Sequence, residues 1–294
     1  IRRPPRSTQS RSSAASDVYK RQVLRSGVQP GSVPHLAGLA MTLALLFAAL
    51  PIGVAIYARV ELNSCFSLQW PRWRALLAGL CLGCSTWVWG LAWSSLQQRI
   101  LPIPPDLVEA ARPLEEQLSS LPTVAALFFV ALAPAFCEEL FFRGYVLSGL
   151  RGALGRTGAV LVVALAFGVA HYSVYRLVVT AGLGLVLGVL VLWGRSIWPA
   201  MLAHAMHNGI SVLITREDGL LPLIRRWGFV DTAGELTLPP APWLLGASFL
   251  LVGGLLLCVV EPRGVPAVAV AAGGEAPGPV VDPPGQSNAD RTRG

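Results

Sequence analysis

Charged residues are scarce in this sequence of 294 residues. Only 13% of them are Asp, Glu, Lys or Arg, whereas 53% are hydrophobic, and the mean hydropathy is +0.58. A soluble domain is nearer a quarter charged. The composition therefore excludes an ordinary soluble globular protein and predicts a polytopic membrane protein.

The sequence also lacks the patterns of disulfide-rich, zinc-binding and repeat proteins. Its five cysteines include one C-x-x-C pair, Cys81 and Cys84, which lies in the apolar stretch GLCLGCSTW without a second pair. Cysteine in such a setting behaves as a small hydrophobic residue, so neither a redox nor a zinc role is expected from this pair. No period of 20–50 residues repeats, which argues against a solenoid or a propeller.

Seven apolar runs are long enough to cross a hydrocarbon layer of about 30 Å. The sequence therefore predicts an all-α fold, a polytopic integral membrane helix bundle with about seven transmembrane helices, and we expect it in the plasma membrane. The predicted spans are Leu36–Tyr57, Ala75–Leu96, Leu121–Leu150, Gly158–Tyr175, Leu177–Trp193, Ile197–Ile214 and Pro242–Val260.

The two ends of the chain differ from its apolar middle. Residues 1–22 contain six basic residues and one Asp, and they hold Lys20, the only lysine of the chain. This stretch resembles a translated adapter or vector sequence, so we interpret it as foreign and expect the chain to be a fragment whose true start is missing. The alternative is a disordered basic arm that contacts acidic lipid or nucleic acid. Residues 262–294, rich in Gly, Pro, Ala and Val, are predicted to be a disordered tail.

The chain between these ends divides into three parts. Residues 23–120 are expected to hold the N-terminal spans and a surface helix, residues 121–215 the core that carries the polar site, and residues 216–261 a loop and the last span. The surface helix is indicated by PPDLVEAARPLEEQLSS, which begins with prolines and has apolar residues at helical spacing on one face.

Three charged residues lie inside the third predicted span, in the stretch FCEELFFRGYVL at 136–147. Each charge in the membrane costs roughly 2.5–3.5 kcal/mol on insertion scales. Glu139 and Arg143 are four residues apart and share a helix face, so we expect them to pair. Glu138 lies about 100° away around the helix and has no partner on its own helix, so a group on another span is expected to meet it.

Two further spans contain polar groups that can meet Glu138. The fourth contains FGVAH at 167–171, and the sixth contains HAMHN at 204–208, in which His204 and Asn208 share a face and His207 lies beside them. Counted from the helix ends at about 1.5 Å per residue, Glu138, His171, His204 and Asn208 lie at depths of roughly 12 to 21 Å. Interhelical hydrogen bonding alone explains such a matched layer poorly, because ionisable groups inside a membrane are functional by default.

This set of side chains suits the hydrolysis of an amide or a similar acyl bond by water. A carboxylate beside a histidine can accept a proton from water, and a second histidine with an asparagine amide can donate to an oxyanion. Alternatively, Glu138, His171 and His204 can hold Zn²⁺ with water in the fourth position, the usual ligand set of catalytic zinc. The residues leave both mechanisms open. Cys137, beside Glu138, is expected to be a bystander.

The motifs EExxxR at 138–143, FxxxH at 167–171 and HxxxN at 204–208 occur in this order on successive core spans. They resemble the motifs of the CAAX protease and bacteriocin-processing family, the intramembrane type II CAAX endopeptidases, over about residues 121–215. The resemblance implies a helical bundle in which Glu138 activates water with His171 while His204 and Asn208 stabilise the oxyanion.

The resemblance also implies roles for the remaining polar residues. Glu139 and Arg143 are then mainly structural, and Phe167 packs behind His171. His207 occupies a variable position of the third motif and is expected to be an accessory group.

A peptide or membrane-protein substrate and contact with membrane lipid follow from the same resemblance. A nucleic-acid partner is not expected, because that idea depends on residues 1–22 alone. Some family members are fused to transporter permeases, so a transporter-type domain upstream is a further expectation.

The alternative hypothesis is a non-catalytic membrane protein on the same scaffold, either part of a permease or a peptide-binding or immunity protein. A transport path would place ionisable groups along several spans. The first, second, fifth and seventh predicted spans have almost none, which favours a compact site.

Overall fold

The computed structural model describes residues 32–231 and 236–259. This part of the chain is helical and contains no β-strand, and it confirms the predicted all-α membrane bundle. The predictions made for residues 1–22 and for the tail at 262–294 lie outside the described residues.

We number the helices in chain order. The chain enters the bundle with two long helices, returns through the helices that carry the polar motifs, and finishes with one more long helix. The helices are α1 (Val33–Tyr57), α2 (Leu62–Cys65), α3 (Trp73–Ile100), α4 (Pro105–Ser120), α5 (123–154), α6 (156–169), α7 (Val174–Gly194), α8 (Trp198–Leu213), α9 (Leu221–Arg226) and α10 (Ala241–Val259).

A single residue separates α5 from α6. Gly155 has φ 67° and ψ 177°, and the backbone is helical on both sides of it. Glycine adopts a positive φ without steric cost, so the break falls where the sequence offers a residue that tolerates it. It divides a stretch of 47 residues into the predicted third and fourth spans.

Five helical stretches in the described part of the chain are long and apolar enough to cross a membrane, namely α1, α3, the joined α5 and α6, α7 and α10. Helix α8 coincides with the predicted sixth span but has only 16 residues. Every predicted span therefore coincides with a helix, while the number of seven transmembrane helices stays a prediction.

The predicted surface helix is present as α4, and none of its residues is buried. Arg216, which follows α8, fixes the C-terminal end of α4. Its guanidinium donates to the carbonyl oxygens of Leu118 at 3.1 Å and Leu121 at 2.6 Å. Since the last carbonyls of a helix have no partner within the helix, this contact ties α4 to the end of α8.

Helix α8 is packed unusually closely against α3. A Cβ atom added at Gly79 would lie 2.6 Å from the carbonyl oxygen of Pro199, and one at Gly83 would lie 3.1 Å from the Cα of Ala203. The two glycines form a G-x-x-x-G pair, which allows helix backbones to approach closely in membranes. The backbone of α8, the helix that carries His204 and His207, is therefore held against α3.

Helix α5 departs from α-helical geometry on both sides of its two glutamates. Segments Phe128–Leu132 and Leu140–Val146 are π-helical, and Ala133–Glu139 between them is α-helical. Turns of π-helix are rare and occur frequently at functional sites. The two π-helical segments of α5 therefore flank the stretch that contains Glu138 and Glu139.

Candidate active site

The ion pair predicted within α5 is present. The Nη1 atom of Arg143 lies 2.7 Å from Oε1 of Glu139, and both side chains are fully buried. Nη2 of Arg143 also donates to the carbonyl oxygen of Gly184 on α7 at 3.2 Å. The arginine therefore joins α5 to α7. The two hydrogen bonds satisfy two of the N–H groups that its guanidinium would otherwise bury without a partner.

Phe167 of α6 is fully buried and contacts three of the polar side chains of the site. The guanidinium carbon of Arg143 lies 4.2 Å from the centroid of its ring. The ring also contacts His171 and His204 edge-on, with centroids 4.8 and 5.7 Å apart. Phe167 packs against His171 as predicted, and it also contacts Arg143 and His204. A buried cation–π contact stabilises by about 2 kcal/mol.

His204 is buried and links the ion pair to Glu138. Its Nδ1 lies 2.9 Å from Oε1 of Glu139. A carboxylate only accepts, so Nδ1 carries the proton in this contact. Nε2, on the other side of the ring, lies 4.0 Å from Oε2 of Glu138. Glu139 therefore connects Arg143 with His204, although the sequence paired it with Arg143 alone.

Glu138 has a buried oxygen with no hydrogen-bond partner among the described residues. This oxygen is Oε2, and 15% of the side chain is exposed. The carboxylate interacts electrostatically with His204, His171, Glu139 and Arg143. A separation of 4.0 Å from His204 is too long for a direct hydrogen bond, whereas one water molecule can bond to both groups. A carboxylate and an imidazole therefore lie close to each other without a direct hydrogen bond.

His171 lies in the turn between α6 and α7, because α6 ends at Val169 and not at the predicted Tyr175. The neighbouring Tyr172 has φ 49°, which takes the chain out of the helix. Nδ1 of His171 lies 2.8 Å from the carbonyl oxygen of Phe167 and donates to it. This contact leaves Nε2 as the acceptor of the neutral ring.

The other two polar residues of α8 have different partners. Nδ2 of Asn208 donates to the carbonyl oxygen of Val130 on α5 at 3.3 Å. Nδ1 of His207, which is buried, lies 3.0 Å from the hydroxyl of Thr86 on α3. The sequence did not indicate Thr86, which is one of several hydroxyl side chains in its predicted span.

The zinc alternative gains no support from the arrangement of the donors. No group of three His, Cys, Asp or Glu side chains in residues 32–231 and 236–259 can hold a metal ion. The Nδ1 atoms of His171 and His204 are engaged by a carbonyl and a carboxylate, which leaves Nε2 of each ring as its free nitrogen, as in histidines that bind zinc. The zinc mechanism therefore stays a prediction.

Residues 120–210 match the family model described as Type II CAAX prenyl endopeptidase Rce1-like. This match supports the assignment to the CAAX protease family. It covers α5 to α7 and most of α8 and includes all the residues of the three motifs, whereas Thr86 and the glycines of α3 lie outside it. No curated protein and no solved structure matches the chain. The CAAX protease family is a family of proteases, which supports an endopeptidase activity, and the apolar helices support an integral membrane protein.

Proposed function

We propose that this chain is an intramembrane endopeptidase that hydrolyses peptide bonds with water activated by Glu138 and His171. One observation carries the proposal. Oε2 of Glu138 is buried without a partner, 4.0 Å from Nε2 of a histidine whose other nitrogen is bound to a carboxylate. Leaving a carboxylate oxygen in this state costs free energy unless a water molecule or a substrate meets it.

In the first step Glu138 accepts a proton from the water molecule while the water oxygen bonds to the carbonyl carbon of the substrate. The electron pair of the C=O bond moves onto the carbonyl oxygen, which becomes an oxyanion. His171 presents Nε2 as an acceptor, since its Nδ1–H is held by the carbonyl of Phe167. Through a hydrogen bond to this Nε2, His171 orients the water while Glu138 accepts its other proton.

Two donors of α8 are available to the oxyanion. Asn208 has a second N–H beside the one that it gives to Val130. His204 donates from Nε2 when both nitrogens carry protons, because its Nδ1–H remains bound to Glu139. Removal of one such donor typically lowers kcat by about 10²–10³-fold.

In the second step the tetrahedral intermediate collapses. The electron pair on oxygen re-forms the C=O bond, the C–N bond breaks, and Glu138 returns its proton to the leaving amine. The products are a carboxylic acid and a free amine. We propose a membrane-embedded or membrane-associated peptide as the substrate, because the reacting groups lie among apolar helices.

The test compares the purified full chain in detergent with Glu138→Gln. The two proteins are incubated with a peptide library, with and without a chelator, and cleavage is read by mass spectrometry. Glu116→Gln is the matched control, since it makes the same change on the exposed helix α4. We expect Glu138→Gln to fold and to lose at least about 10²-fold in rate, while the control and the chelator leave the rate unchanged.

Other results would contradict the proposal in distinct ways. A full rate in Glu138→Gln would exclude Glu138 as the base. Loss of cleavage in the chelator would indicate a zinc enzyme. No cleavage by the folded wild-type chain would favour the non-catalytic, peptide-binding hypothesis.

A further inference from the structure

An apolar groove runs along the outside of the bundle between α3 and α10. Its walls are the face of α10 from Phe249 to Leu257 and, on α3, Cys81. Trp73 and Arg74, in the first turn of α3, line one end of it. Among the described residues, no Asp or Glu and no residue of the candidate active site lines the groove, which is therefore a separate feature.

The groove lies on surface that faces lipid. Phe249 is 78% exposed and Leu256 55% exposed on a helix that is long and apolar enough to span a membrane. Such side chains contact acyl chains when the helix is in a bilayer. Cys81 follows Arg74 by seven positions, or about 10 Å of helix, so the groove is long enough for part of one acyl chain.

Two arginines belong to the same end of the bundle as one end of the groove, Arg74 in its lining and Arg195 nearby in the chain. The guanidinium of Arg74 lies 5.6 Å from the ring centroid of Trp73, and within residues 32–231 and 236–259 it has no carboxylate partner. A Cβ atom at Gly194 would lie 3.4 Å from the Cβ of Ala75 and 4.0 Å from the Sγ of Cys258. The backbone of Arg195, which follows Gly194 and is exposed, is therefore at the same end of α3 and α10.

Tryptophan and arginine at the end of a membrane-spanning helix lie at the level of the lipid headgroups. Basic pockets between membrane helices bind anionic headgroups. We propose that this groove binds an anionic phospholipid, with an acyl chain along α3 and α10 and the phosphate near Arg74 and Arg195. The proposal does not depend on the proposed protease activity.

The experiment is native mass spectrometry of the full chain in detergent. Dioleoyl phosphatidylglycerol and dioleoyl phosphatidylcholine, which share their acyl chains, are titrated separately. Arg74→Gln is compared with Arg99→Gln, which removes a charge from the last turn of the same helix. We expect the wild type and Arg99→Gln to prefer phosphatidylglycerol. Arg74→Gln should bind it about fivefold more weakly, the effect of roughly one basic residue near anionic lipid.

A second pair of variants tests the groove itself. A Cβ atom at Gly253 or at Gly246 of α10 meets nothing within 4 Å, and only Gly253 lines the groove. Gly253→Leu puts a side chain into the groove from an uncrowded Cβ position, so it should reduce the binding of both lipids, whereas Gly246→Leu should not. The melting temperature in lipid-free detergent verifies the fold of each variant.

Two outcomes of the arginine experiment and one of the glycine experiment would overturn the proposal. One is equal binding of the two lipids by the wild type. The other is equal loss of phosphatidylglycerol binding in Arg74→Gln and Arg99→Gln. Unchanged binding in folded Gly253→Leu would exclude the groove as the site of the acyl chain.

Discussion

Nδ1 of His204 donates a hydrogen bond to Oε1 of Glu139 at 2.9 Å, and the same oxygen accepts from Arg143 at 2.7 Å. Glu139 therefore compensates the charge of the buried arginine and also holds the proton of His204 on Nδ1. Orientation by a hydrogen bond to the second ring nitrogen determines which nitrogen of a histidine faces a reaction. We infer that Glu139 is a positioning residue as well as a structural one.

This inference predicts that removing Glu139 alone lowers both stability and rate, whereas removing Glu139 and Arg143 together lowers mainly the rate. Glu139→Ala strands the charge of Arg143 and should lower the free energy of unfolding by about 3–5 kcal/mol. Glu139→Leu combined with Arg143→Met removes both charges and should recover most of that loss. Cleavage should nevertheless stay at least tenfold below wild type, because His204 has lost its acceptor. Melting temperature and kcat are measured on both variants, and a wild-type rate in the double variant would leave Glu139 with a structural role alone.

The close crossing of α3 and α8 predicts that Gly79→Ala is destabilising. The new Cβ would lie 2.6 Å from the carbonyl oxygen of Pro199, and a backbone atom cannot rotate away. Overpacking of this kind costs typically 1–3 kcal/mol, and displacement of α8 should also lower kcat by moving His204.

Gly90→Ala on the same helix is the control for this crossing. Its Cβ would make ordinary contacts at 3.6 and 3.7 Å. Thermal unfolding and cleavage assays compare the two variants. Equal stability of Gly79→Ala and Gly90→Ala would contradict the prediction, because it would mean that α3 and α8 can move apart without loss of free energy.

The contact between His207 and Thr86 predicts a loss of stability without a loss of rate. Thr86→Val keeps the shape of the side chain but leaves Nδ1 of a buried histidine without its partner, at a cost of about 1–3 kcal/mol. Thr180→Val is the control, since that hydroxyl bonds to carbonyls of its own helix. Melting temperature, kcat and KM are measured. A lower kcat at unchanged melting temperature would instead make His207 part of the reaction.

The loop after α8 predicts a pH dependence in the acid range. Hydrogen bonds from Thr123 and Arg216, together with the charge of Arg216, hold the pKa of the Asp218 carboxyl below its usual value. The unfolded chain, with a pKa near 3.9, then binds more protons than the folded chain, so stability rises with pH across this window. The contribution of the Asp218 carboxylate to the stability of the fold is present above about pH 4. It is lost as the pH falls through the pKa of this group in the folded chain.

Melting temperatures of the wild type and of Asp218→Asn between about pH 3 and pH 6 check this expectation. The difference between them should shrink toward the acid end, and because Asp218 is exposed the effect should be small. A difference that grew with acidity would show the opposite sign and contradict the assignment.

Local spacing was sufficient for much of the site. Glu139 and Arg143 pair because residues four apart share a helix face, and Glu138 lacks a partner on α5 for the same reason. The contact between Glu139 and His204 joins residues 65 positions apart. It depends on which faces of α5 and α8 meet, and the hydrophobic pattern of each helix alone does not determine this.

Other partners left little trace in the sequence. Arg143 bonds to the backbone carbonyl of Gly184, and a carbonyl has no sequence signature. The stretch GLCLGC contains two overlapping motifs, of which only the cysteine pair was interpreted. Its glycines, Gly79 and Gly83, are the residues in close contact with α8, and their spacing could have predicted that contact.

The α-helical stretch Ala133–Glu139, between the π-helical segments Phe128–Leu132 and Leu140–Val146, can vary little in length. One residue added or removed between them rotates everything downstream by about 100°, which would turn Arg143 away from Phe167. A substitution in α5 changes the contacts of one side chain, whereas a change of length rotates every later residue of the helix. We therefore expect relatives of this chain to differ here by exchange of residues and to keep the number of residues constant.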